Sequence, residues 1–365
     1  MWAVDHPGRL RRAAAAAGER GIDALLVTPS ADLVYLTAYA PPQLERLTCL
    51  VIRPHADPVV VVPQLERPLA EDGVGKLAAL ASWGETDDPY ALVAGIVGPA
   101  RRMGCSDRMW ASHVLGLQGA APDVRFEAAS GVLGSLRAVK DGDELALLKR
   151  AARYADETFR RIVGLRLETM TERAVASALG ELLVEIGHDQ VAFTIVGSGP
   201  NGASPHHEPG HRELHAGDAV VMDFGGRTAG YCSDLSRTVA IKRAGRSFRA
   251  VYEVVREAQE RAFHAVAPGV SAQDVDRAAR EVIEQAGYGD LFVHRTGHGI
   301  GLEEHEAPYI VEGNDEPLRP GMCFSIEPGI YLPGEFGVRI EDIVTVTDGG
   351  ATRLNHASRD LEVVG

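Results

Sequence analysis

The stretch HRTGHGIGLEEHE, residues 294–306, sets His294, His298 and His305 and a cluster of glutamates around three glycines. Such a set could bind a metal, form one wall of a larger site, or decorate a polar turn. His294 and His298 are four apart, the spacing of two ligands on one face of a helix. Gly297, Gly299 and Gly301 argue against that helix, since a glycine in a helix interior costs about 1 kcal/mol relative to alanine. Glycine neighbours instead leave room for His298 to approach a cation closely, which makes it the natural nitrogen ligand.

Carboxylates elsewhere could supply the remaining ligands. Asp223 follows Val220, Val221 and Met222 and is expected to end a strand; Asp234, eleven residues later, is expected inside the next. Glu327 follows Phe324, Ser325 and Ile326, and Glu341 lies between Ile340 and Asp342 before another β run. Burying an unpaired carboxylate is costly. Singly, each reads as a strand-end acid paired with an arginine or exposed at an edge. Together they are better explained by cations between them. Several carboxylates with one imidazole suit two divalent first-row ions such as Mn²⁺ better than a cysteine-rich structural zinc site.

An internal repeat places these residues. Residues 171–199 align without a gap on residues 271–299, pairing Val175 with Val275, Gly187 with Gly287, Gly197 with Gly297 and Gly199 with Gly299. Each copy reads as a capped helix, a glycine stop and a strand ending in a glycine-rich turn, preceded by an amphipathic helix over 142–166 or 246–266. Behind each copy GDAVVMDFGG (217–226) resembles GMCFSIEPGI (321–330), and CSDLSRTVAI (232–241) resembles RIEDIVTVT (339–347). Residues 142–365 therefore predict one α+β domain of two related halves, with acids facing each other across a pseudo-twofold axis.

The rest of the chain narrows the class. At 365 residues two domains are the default. Residues 1–135 alternate helical patches with the apolar runs IDALLV, CLVIRP, PVVVVP and RMWAS, plus a helical stretch at 89–98, which predicts an α/β domain without a titratable cluster. A net charge of −14 argues against binding nucleic acid or anionic lipid. No apolar run is long enough to span a membrane, and the alanine-rich amino terminus reads as a surface helix rather than a signal peptide. Cys49, Cys105, Cys232 and Cys323 are scattered, as reduced, mostly buried thiols of a cytoplasmic protein would be. GSGPNG (197–202) fits a dinucleotide fingerprint, but the two prolines and missing apolar period of 203–217 leave no helix N-terminus to hold a phosphate.

With PHH at 205–207, TGHGIGLEEHE at 296–306, EPG at 327–329 and VRIED at 338–342, the series Asp223, Asp234, His298, Glu327, Glu341 resembles the methionine aminopeptidase/prolidase metallopeptidases of pita-bread fold. Within that family it is most similar to the Xaa-Pro peptidases, prolidase and aminopeptidase P. The likeness is tight over 142–365 and weaker toward a creatinase-like amino-terminal domain. It implies an α/β domain over 1–138 and a pita-bread catalytic domain over 139–365. It also implies that Asp223 chelates one ion, His298 and Glu327 the other, and Asp234 and Glu341 bridge them, with Mn²⁺ expected and Co²⁺ or Zn²⁺ as alternatives. Water activated between the ions would attack the scissile carbonyl, and Glu327 would relay its proton.

By the same resemblance His206 contacts substrate or the tetrahedral state. His294 and His305 hold the group beyond the scissile bond and the oxyanion, and Arg339 orients the acids or the substrate carboxylate. No role carries over to His207, expected to be solvated, and Glu303, Glu304 and Glu306 are not expected to be ligands. The implied activity is hydrolysis of Xaa-Pro dipeptides, with an aminopeptidase acting on longer peptides as the alternative. Metal-free creatinase-like hydrolysis and a non-catalytic relative both fit poorly with a complete ligand set. A homodimer is expected, in which residues 36–47 are either a lid on the partner's site or a plain surface loop.

Overall fold

The computed structural model describes residues 4–365, and the chain divides into two units, Met1–Arg137 and Ala138–Gly365. The first unit holds a six-stranded sheet in the order Ala79–Trp83, Ala56–Pro63, Cys49–Arg53, Ala24–Val27, Arg102–Cys105, Arg125–Ala128. Ala24–Val27 runs antiparallel to Cys49–Arg53 and parallel to Arg102–Cys105, and all four of its residues are buried, as an apolar run with helices on both sides requires. The RMWAS run is not a strand. The strand ends at Cys105, and Trp110 instead directly precedes the helix Ala111–Ala120.

The second unit carries two five-stranded sheets. One runs Val363–Val364, Leu235–Ile241, Ala219–Thr228, Gln190–Ser198, with Tyr231–Cys232 paired to Ala219–Thr228. The other runs Glu306–Ile310, Gly297–Gly299, Cys323–Ile326, Asp342–Thr347, Gly350–Arg353. Helices Gly142–Ile162 and Glu172–Ile186 bury Phe159, Ile162, Val175 and Leu179 against Val196, Val220 and Met222 of the first sheet. Helices Arg246–Ala265 and Ala272–Gln285 bury Val251, Val255, Val275 and Ala279 against Phe324, Ile326 and Val344 of the second. The first pair starts on side-chain caps, whereas Ser271, at the start of Ala272–Gln285, makes no cap bond because its hydroxyl donates to the Asp274 carboxylate instead. Asp141 and Glu144 form a reciprocal capping box, and the Thr171 side chain accepts from the Ala174 N–H.

The two copies of the repeat differ in their strands. The first gives the nine-residue strand Gln190–Ser198. In the second, residues 292–296 form no strand, and the glycines expected in a turn are themselves the strand Gly297–Gly299. Arg280 accounts for the loss, because its guanidinium donates to the carbonyls of Phe292 (3.1 Å) and His294 (3.0 Å) that a sheet neighbour would otherwise use. Glycine is needed at 297 because a Cβ there would run into the carbonyl of Ser325.

Candidate metal centre

The two sheets meet where the acids converge. The Glu341 N–H donates to the Ser236 carbonyl (3.0 Å), and Arg339 N and Thr238 Oγ1 are 3.0 Å apart, so strands of the two halves are stitched together there. Asp223 stands in the middle of Ala219–Thr228, not at its end as expected. Side chains alternate along a strand, so Met222 and Phe224 enter the apolar core while Asp223 faces the other way. Asp234 also departs from expectation. It lies between Tyr231–Cys232 and Leu235–Ile241, outside both strands, where the backbone need not satisfy a ladder on each side. Glu327 directly follows Cys323–Ile326, with its N–H donating to the Thr296 carbonyl (2.8 Å), and Glu341 directly precedes Asp342–Thr347.

His298 is the central residue of Gly297–Gly299. Its N–H donates to Ser325 Oγ (3.0 Å), and its Nδ1 lies 3.1 Å from the Gly299 carbonyl and so carries the proton there. That leaves Nε2 facing Glu327 Oε1 at 3.2 Å and Asp234 Oδ2 at 3.8 Å. Ligand atoms of Asp234, His298 and Glu341 all lie within 4.8 Å of one another, and all three residues are buried. The other two predicted ligands have engaged protein partners. Asp223 Oδ2 takes a bond from Arg339 Nη2 (2.6 Å), and Glu327 Oε1 takes one from Ser325 Oγ (2.9 Å).

Electrostatics decide whether a cation fits. Burial, followed by the charges of Glu341, Asp223 and Glu327, pushes the Asp234 carboxyl well above its ordinary range. Burial, followed by Glu327 and Asp223, does the same to Glu341. Asp223 Oδ1, Asp234 Oδ1 and Glu341 Oε1 are buried oxygens with no hydrogen-bond partner in the protein. Oxygens left in this state are rare in a folded chain, because each forfeits its hydration for nothing. Divalent cations supply what is missing, charge neutralisation and partners for those oxygens, so the residues fit the group.

The remaining predicted residues surround the same space. A cavity of about 280 Å³ is lined by all five acids and imidazoles above, by His206, His294, His305 and Arg339, and by Phe193, Ile195 and Pro205. His294 Nε2 is 2.8 Å from the Tyr331 hydroxyl, which also receives a bond from Arg339 Nη1 (2.9 Å). The His305 and His298 rings are 4.0 Å apart. Burial, then the nearby His298 and Arg295 charges, lowers His305 to about 4, and burial likewise lowers His294. Both therefore stand neutral at neutral pH, able to donate or accept a hydrogen bond without adding charge.

Sequence reasoning missed several supports. Ser236, Ser325 and Tyr331 hold Arg339, Glu327 and His294, but a lone serine or strand tyrosine carries no spacing signal. His207 is not solvated as expected: its Nε2 lies 2.9 Å from an oxygen of the buried Glu172. Glu304 pairs with Arg227 (2.7 Å) and Glu306 with the buried Lys140 (2.6 Å).

Comparison with known proteins covers both units of the chain. Residues 146–348 match metallopeptidase family M24, and residues 9–139 match the creatinase/prolidase N-terminal domain. The chain is 45% identical over 360 residues to a Mycobacterium tuberculosis protein named "Probable dipeptidase PepE", covering 98% of this chain and 96% of that one. It is 36% identical to a Lactobacillus helveticus "Xaa-Pro dipeptidase", covering 94% and 95%. Among solved structures, a prolidase from Thermococcus sibiricus superposes with a TM-score of 0.94 at 38% identity and covers 100% of both chains.

Proposed function

We propose that this chain, which belongs to metallopeptidase family M24 and begins with a creatinase/prolidase N-terminal domain, hydrolyses the peptide bond of Xaa-Pro dipeptides. The observation that carries the reading is the set of unpartnered buried oxygens on Asp223, Asp234 and Glu341, gathered with His298 at the meeting of the two sheets. Asp223, Asp234, His298, Glu327 and Glu341 would hold two divalent cations. An oxygen-rich donor set with one imidazole favours manganese. When bound, the cations polarise the scissile carbonyl and make water a nucleophile at neutral pH.

The chain's own residues do the rest. Burial works to raise Glu327, but the hydrogen bond with His298 and the charge of Arg339 outweigh it and hold its carboxyl below the usual range. Glu327 is thus ionised and can take the proton of the attacking water at an Oε and return it to the proline nitrogen as the bond breaks. Arg339 fixes Asp223 through Nη2 and Tyr331 through Nη1, and Tyr331 in turn orients His294. Neutral His294 and His305, with His206, hydrogen-bond the substrate carbonyl and the oxyanion that develops on it. A proline nitrogen has no N–H, so a site that needs none, walled by Phe193, Ile195 and Pro205, suits this bond.

A cytoplasmic setting is supported by Cys49, Cys105, Cys232 and Cys323, all buried and free. A homodimer rests on the family resemblance. The deciding comparison is the initial rate on Xaa-Pro dipeptides, Xaa-Pro-Yaa tripeptides and Xaa-Ala dipeptides after Mn²⁺ loading. The dipeptidase reading expects Xaa-Pro dipeptides to lead by about tenfold or more. Faster cleavage of the tripeptides would make the enzyme an aminopeptidase instead.

A further inference from the structure

His206 reaches the cavity from a segment with little structure of its own. After the strand Gln190–Ser198 the chain makes the 3₁₀ turn Gly199–Ala203 and then runs through residues 204–210 without strand or helix. Its local backbone bonds are few: Ser204 N to the Asn201 carbonyl and His207 N to the Ser204 carbonyl.

One carboxylate holds it at both ends. Glu172, in the first turn of the helix Glu172–Ile186, is fully buried. Its Oε1 accepts from the Ser198 N–H (2.8 Å), the Ser198 hydroxyl (2.7 Å) and Asn201 Nδ2 (3.0 Å). Its Oε2 accepts from His207 Nε2 (2.9 Å) and the Gly210 N–H (3.2 Å). Every partner is a donor, so His207 carries its proton on Nε2. The bonds bracket the segment before, within and after His206. A buried carboxylate satisfied this fully is a rigid anchor for the chain on both sides of His206. Neither Glu172 nor His207 lines the cavity.

We propose that Glu172 and His207 are a positioning pair for the reaction, setting His206 against the substrate from behind. The kinetic part of this inference rests on the peptidase reading given above; the placement of His206 does not. Small displacements of a group that meets the transition state are costly in rate, which sets the expected size of the effect.

The test uses the full chain with ¹⁵N-labelled histidine, free of metal, with the His206 ring signals assigned by their loss in His206→Ala. His207→Ala and Glu172→Gln should shift or broaden the His206 signals and leave those of His294 in place. On an Xaa-Pro dipeptide with Mn²⁺, His207→Ala should lower kcat about tenfold and change KM less than about twofold. His207→Gln, whose amide can still donate to Glu172, should recover most of that loss. In a His206→Ala background, His207→Ala should cost less than about twofold, because the residue through which it acts is gone. Unchanged His206 signals in both variants, or an equal loss in both backgrounds, would overturn the proposal. Should Glu172→Gln fail to fold, the partly exposed His207 still decides. Should the unmodified chain split no Xaa-Pro dipeptide, the function proposed above fails, and the ring signals alone judge the positioning pair.

Discussion

In the first half of the second unit, long strands carry the chemistry: Gln190–Ser198 and Ala219–Thr228 run side by side, with Asp223 in the middle of the second. In the other half the corresponding strand is only Gly297–Gly299, with His298 at its centre and irregular chain on both sides carrying His294 and His305. Each half sets a buried acid on a helix behind its segment. Glu172 holds the His206 loop, and Asp276 takes the Thr296 N–H (3.0 Å) and both ends of the Arg280 fork. The duplicated scaffold thus supplies carboxylates from both sides, while three of the four cavity histidines come from the half whose strand is shortest. A full ladder fixes an acid rigidly but leaves little room. A short glycine strand lets several imidazoles approach one point.

The strongest break in this comparison is to remove one acid from each half. Asp234→Ala and Glu341→Ala should each lose bound metal and lower kcat/KM by more than about a thousandfold. Elemental analysis and kinetics on the same samples check both, and full metal retention in either variant would mean that the two halves do not share the ions. Removing an imidazole should cost less. His305→Ala should keep its metal and lose about a hundredfold in kcat, which metal content measured beside turnover would show.

The scaffold itself can be tested at the paired glycines. A methyl group at 297 would collide with the Ser325 carbonyl, whereas at 197 the nearest atom, Gly202 Cα, is 3.0 Å away. Gly297→Ala should therefore cost about 1–3 kcal/mol of unfolding free energy and Gly197→Ala distinctly less. Denaturant titration reads the difference, and equal costs would contradict the tighter packing of the second half.

The smallest effect concerns pH. Asp234 and Glu341 have folded pKa values raised above their unfolded ones, so their contribution to the metal-free protein is full at low pH and is lost as pH rises through the folded values. A cation relieves both causes of the rise, the burial of these charges and their mutual repulsion. The gain in Tm on adding Mn²⁺ should widen from about pH 5 to about pH 8. A gain that shrinks over that range would show that these acids do not have raised values in the metal-free protein.

Much of this organisation was legible in the sequence because it depends on spacing. The repeat and the helix starts at Asp141 and Thr171 follow from offsets along the chain, whereas His206, His294, His305 and Arg339 are marked only by the family resemblance. What was not legible depends on side chains acting across the fold. Nothing near residue 292 signals that Arg280 would take its carbonyl and dissolve the expected strand. The apolar run that stops at Asp223 predicts a strand end there, but Phe224 and the following glycines continue the ladder. Nothing beside His207 in the chain signals its partner, since Glu172 is 35 residues away.

The central claim is that these acids hold two cations that the reaction requires. It is tested most directly by stripping the protein with a chelator and adding Mn²⁺ back in steps, following bound ions per chain and Xaa-Pro dipeptide hydrolysis in the same samples. The account predicts no hydrolysis in the stripped protein, two ions bound at saturation, and activity returning as the site fills. Hydrolysis that survives complete metal removal, or full activity with no ion bound, would contradict it.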